Sequence, residues 1–178
     1  MVYMLLGTGF EEMEAIAPLD LLRRAGVDVL TVGVTGKTVT GAHGIKVTAD
    51  VTINEASRED IDMIVLPGGL PGADNLQNSP EVCEYIALAN DKGAYIAAIC
   101  AAPKILGALG LLKGKEAICY PGFENELKGA VISDKKVVCD GNIITAAGMG
   151  VAVDFALKLV ELLASSEASE KIRKGIIA

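Results

Sequence analysis

Short, wholly apolar runs alternate along the chain with longer stretches of helical periodicity. Val2–Leu6 is apolar throughout and ends in Gly7-Thr8-Gly9, which predicts a buried parallel strand and a turn. From Glu11 to Ala25 the apolar positions Met13, Ile16, Ala17, Leu19, Leu21 and Leu22 predict a helix. Its acidic residues come first, Arg23-Arg24 last, and Gly26 just after, an order that suits the helix dipole and a stop. Pro18 lies inside and is expected to kink or divide it.

Val27–Val32 predicts the next strand, and Thr38–Val47 a polar hairpin with Gly41 and Gly44. Asp62–Leu66 is a further strand, closed by Pro67-Gly68-Gly69. Ser79-Pro80 starts a helix over Ser79–Asn90. Gly93–Ile99 reads as a strand and Ala101–Leu109 as a helix; Glu116–Cys119, Lys136–Cys139 and Ile143–Thr145 read as short strands. Helices are expected at Val151–Leu163 and Glu167–Lys174. Such alternation predicts a single α/β domain over residues 1–178, with a mostly parallel sheet covered on both faces. Ligands in such sheets bind at the carboxyl ends of the strands. The candidate site segments are therefore Gly7–Glu14, Pro67–Asn75, Cys100–Pro103, Tyr120–Phe123 and Ala146–Gly150.

Composition narrows the function. Apolar residues are 51% and charged residues 22%, which excludes a disordered tail. Aromatics are 4% and the formal charge is −7, so nucleic acid is not expected as a partner. Mean hydropathy is +0.43, yet the most apolar stretch, Gly93 to Leu112, contains Pro103 and Lys104. A strand feeding a helix accounts for it, and no membrane span is expected. The N-terminus turns acidic without a basic region, so no secretory signal and a cytoplasmic location are expected. The four cysteines then read as free thiols.

Of these, Cys100 stands where a buried strand meets a helix, with small neighbours on both sides, the setting of a nucleophile elbow. Helix-terminal amides there favour thiolate, and together with a hydrogen bond from Glu14 they predict that Cys100 is mostly ionised at pH 7. Cys83, Cys119 and Cys139 read as packing residues. Glu11 and Glu12 are explained by the helix dipole. Glu14, one turn in, is expected to point inward, to stay protonated near pH 7 and to donate to the sulfur. The glycines of Pro67-Gly68-Gly69-Leu70-Pro71-Gly72 could expose amides as part of an oxyanion hole. Gly148-Met149-Gly150 is either an anion loop or a tight turn. Gly7-Thr8-Gly9 lacks the rest of a dinucleotide fingerprint, and no cofactor is expected. The single histidine, His43, lies in the hairpin, far in sequence from these segments. A Cys–His dyad is disfavoured on that ground, and one His without a CxxC disfavours a zinc site.

Four motifs in this order resemble the ThiJ/PfpI superfamily, in its DJ-one-like, parkinsonism-associated deglycase branch. They are Glu11-Glu12-Met13-Glu14, Leu22-Arg23-Arg24-Ala25-Gly26, Val65-Leu66-Pro67-Gly68-Gly69 and Ala97-Ala98-Ile99-Cys100-Ala101-Ala102-Pro103. The resemblance spans nearly the whole chain. It implies a flavodoxin-like three-layer sandwich and a homodimer, with Cys100 as oxidisable nucleophile, Glu14 as its partner, and amides of Gly69 and Ala101 lining an oxyanion pocket. It further implies a cofactor-independent enzyme on small reactive carbonyls, of glyoxalase or deglycase type, acting on a small aldehyde or a glycated substrate. Its second implication is a redox-sensing stress-response protein or chaperone without turnover. Peptidase and thiazole- or thiamine-pathway roles rank below both. Two positions depart from the pattern. Ala101 stands where the peptidase branch carries His, and Tyr120, before Pro121, stands where the DJ-one-like branch often has His. Tyr120 remains a possible neighbour of the site, but with an ordinary pKa near 10 it is a poor base.

Overall fold

The apolar runs form strands because, buried on both faces, they need no polar alternation. The computed structural model, which describes residues Met1–Ala178, opens with β1 (Val2–Leu6) and α1 (Glu12–Arg24), followed by β2 (Val29–Gly33). The hairpin is β3 (Thr38–Thr40) and β4 (Lys46–Thr48), with Val39 opposite Val47. Next come β5 (Val51–Thr52), β6 (Met63–Leu66), α2 (Gly72–Gln77), α3 (Pro80–Asp91), β7 (Tyr95–Ile99) and α4 (Pro103–Ala108). After these lie β8 (Glu116–Ala117), β9 (Val131–Ile132), β10 (Val137–Asp140) and β11 (Ile143–Ala146). The chain closes with α5 (Ala152–Leu163) and α6 (Ser166–Gly175).

The seven-stranded sheet has the order β10-β11-β7-β6-β1-β2-β5. All neighbours are parallel except β10, which runs antiparallel to β11 at one edge. Counting only β2, β1, β6, β7 and β11 in chain order gives 2-1-3-4-5, the flavodoxin-like winding. Side chains alternate between faces. Tyr3, Leu5, Ile64 and Leu66 join one core layer with α3 and α4. Met4, Leu6, Val65 and Ile99 join the other with α1 and α5. The result is a three-layer α/β sandwich. No helix is long and apolar enough to cross a membrane.

Several elements differ from the sequence reading. Pro18 neither ends nor divides α1; it is buried within one continuous helix. It cannot donate to the Glu14 carbonyl, but α1 packs on the sheet and alongside α5, so packing carries the helix through. The predicted strand at 116–119 does not enter the main sheet. Its first two residues pair with β9 in a separate small sheet. The segment after Pro67-Gly68-Gly69, read as loop, contains α2, and β5 extends the far edge of the sheet.

Candidate active site

The winding reverses between β1 and β6, which opens a crevice at their carboxyl ends. The loop after β1 and the start of α1 meet there with the loop after β6. The Glu11 N–H donates to the Gly68 carbonyl at 3.0 Å. Gly69, at φ +83°, sits so close to Glu11 that a Cβ would lie 2.4 Å from its nitrogen. Only glycine combines that conformation with that approach.

β7 delivers Cys100 into the same crevice. Cys100 has φ +64°, an uncommon conformation for a residue with a side chain. The elbow is pinned from both sides: the Cys100 N–H donates to the Ala146 carbonyl at 2.9 Å, and the Cys100 carbonyl accepts from the Tyr120 N–H at 2.8 Å. The turn itself closes through Ala102 N–H to Ile99 carbonyl at 3.1 Å. The backbone amides of Gly69 and Ala101 favour the charged form of the sulfur.

Glu14 reaches the sulfur from α1. It is fully buried, and the Gly68 N–H donates to its Oε2 at 2.9 Å. Burial pushes its carboxyl up from 4.5 to about 7, against hydrogen bonds from Cys100 and Gly68. Burial also pushes the Cys100 thiol up, reinforced by the facing Glu14 charge and opposed by the Gly69 and Ala101 amides. The two groups titrate as one coupled pair, whose first proton leaves at about 7. The resting thiolate expected from the helix terminus and a Glu14 hydrogen bond is corrected in direction, because burial and the facing carboxyl push the thiol up. α4 is short and starts three residues past the sulfur, so its dipole does not outweigh burial and a facing carboxylate. Oε1 of Glu14 is buried without a hydrogen-bond partner. A proton resting there satisfies that oxygen and serves the sulfur, so the charge can pass to sulfur when the proton stays on Glu14.

A cavity of about 290 Å³ opens over this pair, lined by Glu11, Glu14, His43, Gly69, Cys100, Tyr120 and Met149. Tyr120 is half-exposed, and its ring packs on Gly148. Met149 also lines the cavity and opens the short 3-10 helix at Met149–Val151, so the Gly148-Met149-Gly150 segment is a tight turn. A larger groove of about 590 Å³ lies at the other end of the sheet, near Gly26, Asp62 and Gly93, and holds no nucleophile.

The placement of His43 was missed in the sequence. Its hairpin folds back so that His43 lines the cavity. Its ring does not serve the sulfur, however. The His43 N–H donates to Glu12 Oε1 at 2.8 Å, and Nδ1 bonds Glu12 Oε2 at 2.9 Å. Glu12 is buried, so it is a clamp for the hairpin rather than a mere dipole charge. Burial alone would raise its carboxyl, but the His43 bonds outweigh burial and hold it below the usual range. Glu12 and Glu11 in turn raise His43. Glu11, Glu12 and His43 bring ligand atoms within 4.8 Å, a spacing open to a cation, but both Glu12 oxygens are already engaged by His43. Among the other thiols, Cys119 is buried and Cys83 partly so, whereas Cys139 is exposed and corrects the packing assignment. Cys139 lies on the antiparallel edge strand, where one face meets solvent.

The fold that places this site recurs in known proteins. Protein dj-1beta of Drosophila melanogaster is 38% identical over 176 residues, covering 97% of this chain and 94% of that protein. Its crystal structure superposes with a TM-score of 0.94, covering 99% of this chain and 97% of that one. An oxidized DJ-1 from Toxoplasma gondii superposes at 0.95 with 34% identity, covering 99% and 97%. A Caenorhabditis elegans protein named a glutathione-independent glyoxalase is 33% identical over 167 residues, covering 93% of this chain and 89% of that protein. The DJ-1/PfpI family model matches residues 1–162, nearly all of the sheet and both helical layers, and the chain belongs to that family.

Proposed function

We propose that the chain is a cofactor-independent cysteine enzyme that converts small 2-oxoaldehydes to 2-hydroxy acids. The observation that carries this reading is the juxtaposition of the Cys100 thiol and the buried Glu14 carboxyl beneath a cavity of about 290 Å³, ample for a small aldehyde. The resemblance to a relative named a glyoxalase supports the same chemistry.

The steps follow from the pair. The thiol proton passes to Glu14 as sulfur attacks the aldehyde carbon, and Glu14 returns it to the carbonyl oxygen. The product is a hemithioacetal, and the amides of Gly69 and Ala101 stabilise the developing oxyanion. The Glu14 carboxylate then removes the hydrogen on the attacked carbon, giving an enediolate, and delivers that proton to the neighbouring carbon, while the hydroxyl proton on the attacked carbon's oxygen passes to the neighbouring oxygen. A thioester of the 2-hydroxy acid results, and water hydrolyses it to release acid and thiol. Overall, one aldehyde and one water give one hydroxy acid. No amine is expelled, so the absence of a base histidine at the sulfur is no obstacle. The same absence counts against peptidase chemistry.

A second reading has its own support in the oxidized Toxoplasma gondii relative. Two equivalents of peroxide would take Cys100 to a sulfinate, releasing water, and a protonated Glu14 would donate to a sulfinate oxygen. Methylglyoxal turnover separates the two. Catalytic production of lactate by the wild type and none by Cys100→Ser supports the enzyme. Its absence in the wild type, with clean peroxide oxidation of Cys100, supports the sensor.

We further propose a homodimer. α1 exposes Met13 and Ile16, and the hairpin exposes Ile45, three apolar side chains flanking the cavity wall formed by Glu11 and His43.

A further inference from the structure

Three of the segments that surround the sulfur are the loop before α2, the elbow before α4, and the turn at residues 120–123. We infer that Lys104 is a positioning residue that holds these three segments in register around Cys100. Lys104 lies in the first turn of α4, four positions beyond the nucleophile, and is 9% exposed. Its Nζ donates to Asp74 Oδ1. Asp74 is in the first turn of α2, which begins three positions after Gly69. The same ammonium lies 5.6 Å from the centroid of the Phe123 ring, three positions after Tyr120.

Local physics does not favour a lysine here. Buried lysines are rare, and a cation in the first turn opposes the helix dipole. Replacing a buried charge by an apolar chain of similar length is often neutral or stabilising for the fold. What an ammonium adds is direction: one bond to α2 and one attraction to the Phe123 face. α4 already has no slack against the next segment, since a Cβ on Gly107 would lie 2.1 Å from the Glu126 carbonyl oxygen. Lys104 closes the third side by tying α4 to α2, and so the Gly69 amide to the sulfur it must meet. Such donors act only when held to a fraction of an ångström.

The inference concerns the sulfur's surroundings and goes beyond the carbonyl chemistry, so it is tested without any substrate. Lys104→Met, Asp74→Asn and the double variant are alkylated with iodoacetamide across pH, with Cys100 followed by peptide mass spectrometry and melting recorded in parallel. Each single variant is expected to shift the Cys100 reactivity curve upward by half a pH unit or more, an about threefold loss of rate below the inflection. The double variant should shift no further than either single, because both remove one tie. A wild-type curve in folded Lys104→Met, with or without a lower melting temperature, overturns the inference, as do additive shifts in the double variant. If Lys104→Met does not fold, Asp74→Asn decides by the same criterion.

Discussion

Gly68 donates its N–H to Glu14 Oε2 at 2.9 Å, so the residue next to the Gly69 amide also holds the carboxyl that serves the thiol. A methyl on Gly68 would lie 2.7 Å from both Cys100 Cβ and Glu14 Oε2. Gly68→Ala is therefore expected to push the pair apart, lowering methylglyoxal kcat/KM by about a hundredfold. Overpacking should also cost about 1–3 kcal/mol in denaturant titration. Wild-type kinetics in that variant would refute the close packing of the pair.

Reactivity of Cys100 should rise through pH 7, where the pair gains its one charge, rather than near the 8.5 of a free thiol. In Glu14→Leu the sulfur keeps its burial but loses its proton partner, so the inflection should move above 8.5. Glu14→Gln retains a donor and should move less, yet it should abolish turnover as Leu does. An alkylation profile indifferent to Glu14→Leu is the contrary result.

Burial of Glu14 also makes the fold pH-dependent. Its folded pKa is raised, so the folded state binds the extra proton, and the stability it contributes is full below 4.5 and lost as pH rises through about 7. Stability curves should show Glu14→Gln gaining on wild type across that window, by at most about 3 kcal/mol. A constant difference from pH 4.5 to 8 would contradict the burial argument.

His43 is the only histidine, so its imidazole proton resonance can be followed without assignment. It should titrate above 6.5 in the wild type and return toward that value in Glu12→Gln. His43→Ala should leave turnover within about threefold, well short of the roughly 10²–10⁴-fold effect of losing a general base. Abolished turnover would replace the Cys–Glu mechanism by a Cys–His one.

Light scattering at micromolar concentration should give a dimer mass, and Met13→Lys with Ile16→Glu should give a monomer. A monomeric wild type would remove the proposed assembly.

The parallel strands were legible because β1, β6 and most of β7 are unbroken apolar runs, and α3 because Ser79-Pro80 caps it; Ser79 accepts from the Val82 N–H. Glu14 could be read as inward from its helical phase with the apolar positions. α2 was hidden because Gly-Ala-Asp-Asn carries weak helix propensity and follows a turn-rich loop. The strand order and the tiny β8–β9 sheet depend on pairings with no local signal. The Glu12–His43 clamp joins residues 31 apart, and nothing in either neighbourhood announces the other. The lysine after the elbow looked like an interruption of an apolar run; only its partners on two other segments give it meaning.

β7 occupies the interior of the sheet, between β6 and β11, while β5 and β10 form the margins. Fraying begins at margins and termini, in cooperative units that open well before the centre. The nucleophile thus belongs to the last unit to open. Amide exchange at Cys100, whose N–H is tied to Ala146, should approach the rate set by global unfolding. Loss of β10, β5 or α6 by local opening would leave the reactive centre assembled, and heat would silence it only when the whole sheet comes apart.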